Sequence, residues 1–300
     1  MRISSRSLRD GSMKSAADVD ALRPSVADAL AAWTARVQAD HDQVERSRES
    51  ADPTDFYAPV ADRFRLDPRR TDDATLEVLR SLAGAGETWL DVGSGGGRFA
   101  LPLALIVREV ICVEPSPSMV EVLRDGMREH GIGNVTIVPE RWPLADTGGV
   151  GPVDVTLLAH IGYDIEEIGP FLDAVESVTR RRCVAVMGEG AMTTVASQLW
   201  EPVHGEPRVA LPALPELVTL LLARGSIPGV RIVDRTPPTF DCLDALLAMA
   251  RRQLWVRPGS EKDARLRTLV EELAEEREGQ FALEWTPTRI GIVTWEPRPA

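Results

Sequence analysis

Lysine is almost missing from this chain of 300 residues: Lys14 and Lys262 are the only two, so nearly all its basic character rests on arginine. Basic residues are outnumbered overall, 34 against 46 acidic, and a formal charge of -12 opposes binding to phosphate backbones and anionic lipid. Cysteine is equally sparse. Cys112, Cys183 and Cys242 are widely spaced in apolar settings, which excludes a closed disulfide framework and fits no zinc-ligand spacing. They read as buried free thiols in a reducing compartment, and a cytoplasmic location is expected. No apolar run approaches the roughly 18 residues of a membrane span, and MRISSRSLRDGSMKS lacks the apolar core of a secretory signal. No spaced cluster of His, Asp and Glu argues for a metal. What remains is 44% hydrophobic and 27% charged, a composition that supports a sizeable core and argues against wholesale disorder.

Residues 1–15, rich in Ser and Arg and without periodicity, read as a flexible arm. Residues 16–86 form a helical cover. Pro24 opens a helix on which Leu22, Val26, Leu30, Trp33 and Val37 recur at three- and four-residue steps, and Pro53 ends it. An aromatic segment, DFYAPVADRFR, precedes a second helix, DDATLEVLRSLAG, closed by Gly84.

The pattern then changes. Over 87–190, strands are expected at Thr88–Val92, Val110–Glu114, Val135–Val138, Val153–Ala159 and Cys183–Met187. Between them lie helices at Arg98–Val107, from Ser116 as cap to Gly131, and at Ile165–Val178. Short apolar strands alternating with helices predict a doubly wound α/β domain with a parallel sheet covered on both faces. Residues 191–300 complete it with a Pro-interrupted stretch, a helix through Leu222 and a strand at Val230–Arg235. Two helices, Asp241–Leu254 and Glu261–Arg277, make an insertion at about 240–280 where a lid can sit, before strands at Phe281–Trp285 and Arg289–Trp295. The run EELAEERE reads as an exposed helix face.

The most informative segment is WLDVGSGGGRFALPLA. Asp91 ends a strand, Gly93, Gly95, Gly96 and Gly97 form a loop, and Arg98 opens a helix. A dinucleotide fingerprint needs its third glycine where Arg98 stands, and a P-loop needs a Gly-Lys-Ser/Thr ending, so both fail. A plain strand-to-helix turn is the alternative for the loop alone. Glu114 ends the second strand, where a carboxylate accepts from two ribose hydroxyls. The third strand ends in PERW, so Glu140 and the Trp142 ring lie beside the same edge, where an acid can accept from an exocyclic amine and an aromatic can pack an adenine face. All three tips fall at the carboxyl edge of a parallel sheet, where such folds bind ligands.

The segments LDVGSGGG, VICVEPS, VTIVPERW and VDVTLLAHIGY, in that order, resemble the class I S-adenosylmethionine-dependent methyltransferases over about Thr88–Gly190. The resemblance implies a mostly parallel seven-stranded sheet and S-adenosyl-L-methionine as cofactor. It implies that Asp91, Gly93, Ser94 and Gly95 hold the methionine portion, with Gly97 in the same cofactor-binding loop, and Glu114 the ribose. Pro115, Ser116 and Met119 would lie beside the adenine, Glu140 and Arg141 at its edge, and His160 and Ile161 near the sulfonium. VRIVDR and RIGIVTWEP fit the family's antiparallel edge hairpin, and the long insertion between them departs from it. So do Pro139 and Arg141, where the family more often has Gly and a small residue.

Methyl transfer chiefly needs positioning and exclusion of water. His160, at a strand tip, is the candidate base, with a pocket-shaping role as the alternative. Tyr163 on the same loop either orients the acceptor or packs. Phe56 and Tyr57 either close the pocket or pin the N-terminal helices, and Trp200 and His204 either line an acceptor site or belong to a connector. His41 and His130 lie in polar helical stretches and read as solvated. The expected function is methylation of a small molecule, since RNA binders cluster Lys and Arg. The one basic run, Arg180–Arg182, precedes a strand at the edge opposite the ligand tips. A non-catalytic module binding the cofactor or its demethylated product, and a nucleotide-dependent oxidoreductase, are the competing readings. Oligomeric state is not legible.

Overall fold

A computed structural model describes residues 23–51, 54–145, 150–234, 238–283 and 289–298, with backbone alone for 192–195. The arm at 1–15, Leu22, Pro53, Arg235 and Trp285 lie outside these residues.

Among the described residues, two α-helices and a short 3-10 helix (Ala58–Phe64) precede the sheet. Helix α1 (Val26–Ser47) is capped by Ser25, whose side chain accepts from the Asp28 amide, and α2 (Ala74–Leu82) by Asp73 in the same way from Leu76. Five parallel strands follow in strand–helix alternation: β1 (Thr88–Val92), β2 (Glu109–Val113), β3 (Val135–Val138), β4 (Val153–Ala159) and β5 (Thr179–Gly188). Helices α3 (Ala100–Ala104), α4 (Pro117–His130) and α5 (Ile168–Val178) connect them. Beyond β5 come α6 (Trp200–His204), α7 (Leu214–Ala223) and β6 (Gly229–Asp234). Then follow α8 (Leu243–Gln253), α9 (Glu261–Leu273), β7 (Ala274–Arg277), β8 (Gln280–Leu283) and β9 (Arg289–Trp295).

The seven-stranded sheet has the order β3-β2-β1-β4-β5-β9-β6, with β9 antiparallel to both its neighbours. This is a doubly wound α/β fold. Every residue of β1 is buried, Thr88 and Asp91 included, which is why the strand shows no apolar–polar alternation. Leu90 and Val92 face a core shared with Trp33 of α1, Phe171 of α5 and Leu217 of α7. Trp89 faces the other core, with Leu76 of α2, Leu103 of α3 and Leu123 of α4. A third cluster is separate: Trp200, Val203, Leu246, Leu247, Leu266 and Leu283 knit α6, α8, α9 and β8 into a cap.

Four expectations need correction. The helix expected at Arg98–Val107 is only Ala100–Ala104, because the glycine turn continues through Phe99. The helix expected to reach Arg277 stops at Leu273, since residues 274–277 pair with β8 across a turn at Glu278 and Gly279, both at positive φ. That hairpin is its own two-stranded sheet, so Phe281 belongs to the cap and not to the main sheet. Cys112 and Cys183 are buried but Cys242, at the start of α8, is exposed. Among the described residues no helix is long and apolar enough to cross a membrane.

Trp33 fixes α1 to the loop after β4: its side chain is 1% exposed, and its indole N–H donates to the Ile165 carbonyl at 2.9 Å. Trp33→Ala removes a large buried aromatic and leaves that carbonyl unpaired, so urea denaturation should show a loss of about 3–5 kcal/mol. A loss below about 1 kcal/mol would show that α1 is not integral to the core.

Candidate active site

The tips of β1 and β2 are tied together by backbone before any side chain contributes. The amides of Gly93 and Ser94 both donate to the Val113 carbonyl, at 2.8 and 3.3 Å. Gly93 has φ +71°, and a Cβ there would lie 2.7 Å from Cγ2 of Ile161 in the loop after β4. Only glycine allows that conformation and that approach. Gly95, at φ +53°, exposes its amide to Glu114, whose Oε2 accepts it at 2.7 Å. Oε1 of Glu114 accepts the Ser116 amide at 2.8 Å. Both oxygens are thus engaged, yet each keeps a lone pair for a hydroxyl.

Two buried carboxyl groups meet here. Asp91 is 2% exposed, and among the described residues its Oδ1 has no hydrogen-bond partner. Burial, reinforced by the Glu114 charge, pushes Asp91 up to about 7. Burial also raises Glu114, against the opposing effect of the Ser116 and Gly95 amides. An orphaned buried carboxylate oxygen beside a glycine loop calls for a cationic or donor group, so it fits the ammonium of S-adenosylmethionine. Glu114 fits its ribose for the reason already given.

Ser116 caps α4 by accepting the Met119 amide at 3.2 Å, and Pro117 occupies the first helical turn. Met119 is buried with its sulfur near Gly95, while Pro115 is exposed. The structure adds a residue that the sequence did not single out. Asp55 reaches across from the segment before the core: its Oδ1 accepts from Ser116 Oγ at 2.9 Å and its Oδ2 from the Ser118 amide at 3.0 Å. Burial opposes the charge, but these bonds and that from the Tyr57 amide hold the Asp55 carboxyl down at about 2. Only the D-x-Y turn geometry, in which Asp55 Oδ1 accepts from the Tyr57 amide at 3.0 Å, is local enough to be read from sequence.

At the remaining tips the picture is mixed. Glu140 and Arg141 are exposed beyond β3. Trp142 is buried against the main core, so the structure gives its indole to packing and offers no open ring there. His160 follows β4 with φ +58°, a left-handed conformation that costs energy for a non-glycine residue and clusters at functional sites. Its amide donates to the Val186 carbonyl at 2.8 Å, and its ring lies 6.3 Å from that of Phe99. Tyr163 is buried, with its hydroxyl accepting from the Gly188 amide at 2.8 Å, so it pins the loop after β4 to the end of β5.

Phe56 and Tyr57 stand at the same edge, in edge-to-face contact at 5.4 Å. Burial, then the Glu114 and Asp164 charges, raise the Tyr57 phenol. Trp200 and His204 are elsewhere. Trp200 is wholly buried in the cap core, with His204 stacked on it at 4.1 Å. His204 Nε2 meets the Leu254 carbonyl at 2.9 Å and Nδ1 meets Lys262 Nζ at 3.1 Å. Burial, then Lys262, push this imidazole down to about 4. Trp200 is thus part of the cap core, and the half-buried His204 packs on it with both ring nitrogens engaged within the cap. Among the described residues no cluster of His, Cys, Asp and Glu has a metal-binding arrangement.

Comparison with known proteins bears on this geometry. Residues 90–186 match the family model described as a methyltransferase domain. Over 52 residues the chain is 48% identical to the 23S rRNA (uracil(1939)-C(5))-methyltransferase RlmD of Xylella fastidiosa strain Temecula1, a match spanning 17% of this chain and 12% of that protein. Among solved structures, the YcgJ protein of Bacillus subtilis superposes with TM-score 0.52 at 16% identity, over 75% of this chain and 99% of that one. A protein of Bacillus halodurans C-125 titled as a methyltransferase gives TM-score 0.50 at 15% identity, over 76% and 99%. At these identities the two structures establish the fold.

The raised Asp91 has a measurable consequence. Ligand-free native protein keeps a proton that the unfolded chain releases near pH 3.8, so this group's contribution to stability falls as pH rises from there to about 7. Asp91→Asn lacks that term. The stability of wild type relative to the variant should therefore decline across the window, by at most about 1.4 kcal/mol per pH unit. Parallel pH profiles in urea denaturation would refute it.

Proposed function

We propose that this chain, whose residues 90–186 belong to the class I S-adenosylmethionine-dependent methyltransferases, transfers a methyl group from that cofactor to a small-molecule acceptor. The observation that carries the cofactor side is the pair of buried carboxyl groups, Asp91 and Glu114, set around the glycine loop at the carboxyl edge of the sheet. The acceptor side is supported by the cap and by the net charge of -12. The Arg180–Arg182 run lies at the start of β5, the opposite edge from these tips. An RNA acceptor is the second reading, favoured by the 52-residue match to an rRNA methyltransferase.

When bound, S-adenosylmethionine supplies a methyl carbon already activated by its sulfonium, which leaves the protein to position the acceptor and exclude water. Asp91, with Gly93, Ser94 and Gly95 of the loop that also contains Gly97, would hold the methionine portion, and Glu114 the ribose through its remaining lone pairs. Pro115, Ser116 and Met119 would flank the adenine, with Glu140 and Arg141 at its edge. Ile161, already against Gly93, would close the sulfonium side. His160, held at a strained tip, would take a proton from an acceptor that carries one. Tyr163 would act through the loop, since its hydroxyl already serves Gly188.

Titration with S-adenosylhomocysteine tests the cofactor assignment. Glu114→Ala should weaken binding by about 1.5–3 kcal/mol, the scale for hydrogen bonds to a charged group. Equal affinity would show that Glu114 does not meet the ribose. Stabilisation of the protein by NAD but not by S-adenosylhomocysteine would overturn the family reading in favour of an oxidoreductase.

Turnover is tested by following S-adenosylhomocysteine release against a panel of small molecules and against rRNA fragments. Product with small molecules and none with RNA supports the proposal, RNA turnover alone supports the second reading, and cofactor binding without turnover on any acceptor supports a non-catalytic module. His160→Gln should lower kcat by about 10²- to 10⁴-fold while leaving S-adenosylhomocysteine affinity intact. An unchanged kcat would leave the imidazole a pocket-shaping role.

A further inference from the structure

The arginines that this fold shields from water are mostly matched to carboxylates. Arg70 meets Asp73, Arg208 meets Asp40, and Arg224 meets Glu176 at 3.2 Å. Arg251 on α8 grips both oxygens of Asp263, at 2.6 and 2.9 Å. Its neighbour Arg252 is different. Among the described residues it has no ion-pair partner, and its Nη1 is buried without a hydrogen bond. Instead the guanidinium lies 4.1 Å over the Phe56 ring and 5.8 Å from that of Tyr57. Burial weakens its hold on the proton, an effect eased by Tyr57 and deepened by the nearby positive charge of Arg63.

A half-buried cation without a counter-charge is costly, and a second cation beside it raises the cost, in a chain whose overall charge is -12. Its location gives the cost a use. Phe56 follows Asp55, whose carboxylate is bonded to Ser116 and Ser118 at the start of α4. Tyr57, in edge-to-face contact with Phe56, feels the charge of Glu114 at the tip of β2. Trp255 leans on Phe56 at 5.8 Å, so a third ring backs the two that the guanidinium meets. Glu114 is not the missing partner, because its oxygens are turned to the amides of Gly95 and Ser116.

We propose that Arg252 recognises the acceptor, and that the acceptor class is an aromatic carboxylate, its carboxylate on the Arg252 fork and its ring against Phe56 and Tyr57. The planar fork matches a carboxylate, and the aromatic walls match a flat apolar body. Arg63, beside Arg252, is committed to the Phe240 ring and the Thr239 carbonyl, so one guanidinium is left to meet the ligand, which suits a monoanion rather than a phosphate dianion. This proposal rests on the methyltransferase reading and adds the substrate class to it.

The test uses the full chain saturated with S-adenosylhomocysteine and three probes: benzoate, its neutral analogue benzamide, and inorganic phosphate. Benzoate should raise the melting temperature of wild type, and benzamide and phosphate should not. Arg252→Gln should weaken benzoate binding at least about tenfold, while S-adenosylhomocysteine affinity stays within about twofold of wild type. A wild type indifferent to benzoate overturns the proposal, as do equal responses to benzoate and benzamide, displacement of benzoate by phosphate, or undiminished benzoate binding by the variant. Should Arg252→Gln fail to fold, the benzoate–benzamide comparison on wild type decides alone. If wild type does not bind S-adenosylhomocysteine, the methyltransferase reading fails, and the benzoate series on unloaded protein still decides the role of Arg252.

Discussion

The site depends on one carboxylate, that of Glu114, accepting from two backbone amides at once. One bond draws in Gly95 of the loop after β1, and the other fixes Ser116 at the start of α4. Ser116 then caps α4 and donates to Asp55, and Asp55 holds the aromatic pair Phe56 and Tyr57 at the edge of the sheet. The cap settles on that pair through Arg252 and Trp255. A single buried acid thus organises the cofactor loop, a helix start and the approach of a remote part of the chain. Charge-assisted bonds to amides are suited to this, being stronger than neutral ones and directional.

The same arrangement concentrates negative charge where water is scarce. Beyond burial, the Glu114 charge raises the cost of ionising Asp91 and the Asp55 charge that of Glu114, and the loop glycines contribute amides but no countercharge. Such a site is better matched to a cationic ligand than to solvent, and a sulfonium with an ammonium is one. Destabilisation of the free form and selectivity for the ligand then have a common origin.

The sheet and the cofactor loop were legible because their signals are local. Buried parallel strands leave apolar runs, the glycine loop leaves its spacing, and Ser116, Pro117 and Gly131 mark both ends of α4 as the structure has them. The cap was less legible because its signals are tertiary. A run as charged as EELAEERE favours helix by propensity, yet the Glu278–Gly279 turn folds it back as a hairpin, and an E-G pair ahead of Gln280 and Phe281 was the available hint. Trp200 and His204 looked like candidates for a site because aromatic and imidazole groups serve either role. Only the packing of α6 against α8 and α9 commits them to the cap. Asp55 and Arg252 were invisible for a related reason: each matters through a partner distant in sequence, Ser116 for one and Phe56 for the other.

Strand β9 lies between β5 and β6, and among the described residues β6 pairs in the sheet with β9 alone. On the ribosome this orders events. Strands β1 to β5 can pair as they emerge, whereas β6 and the cap that follows it are made before the strand that joins them to the rest. Until residues 289–295 leave the exit tunnel, the growing chain holds an assembled cofactor half and an unattached β6, and it is this late segment that joins the two.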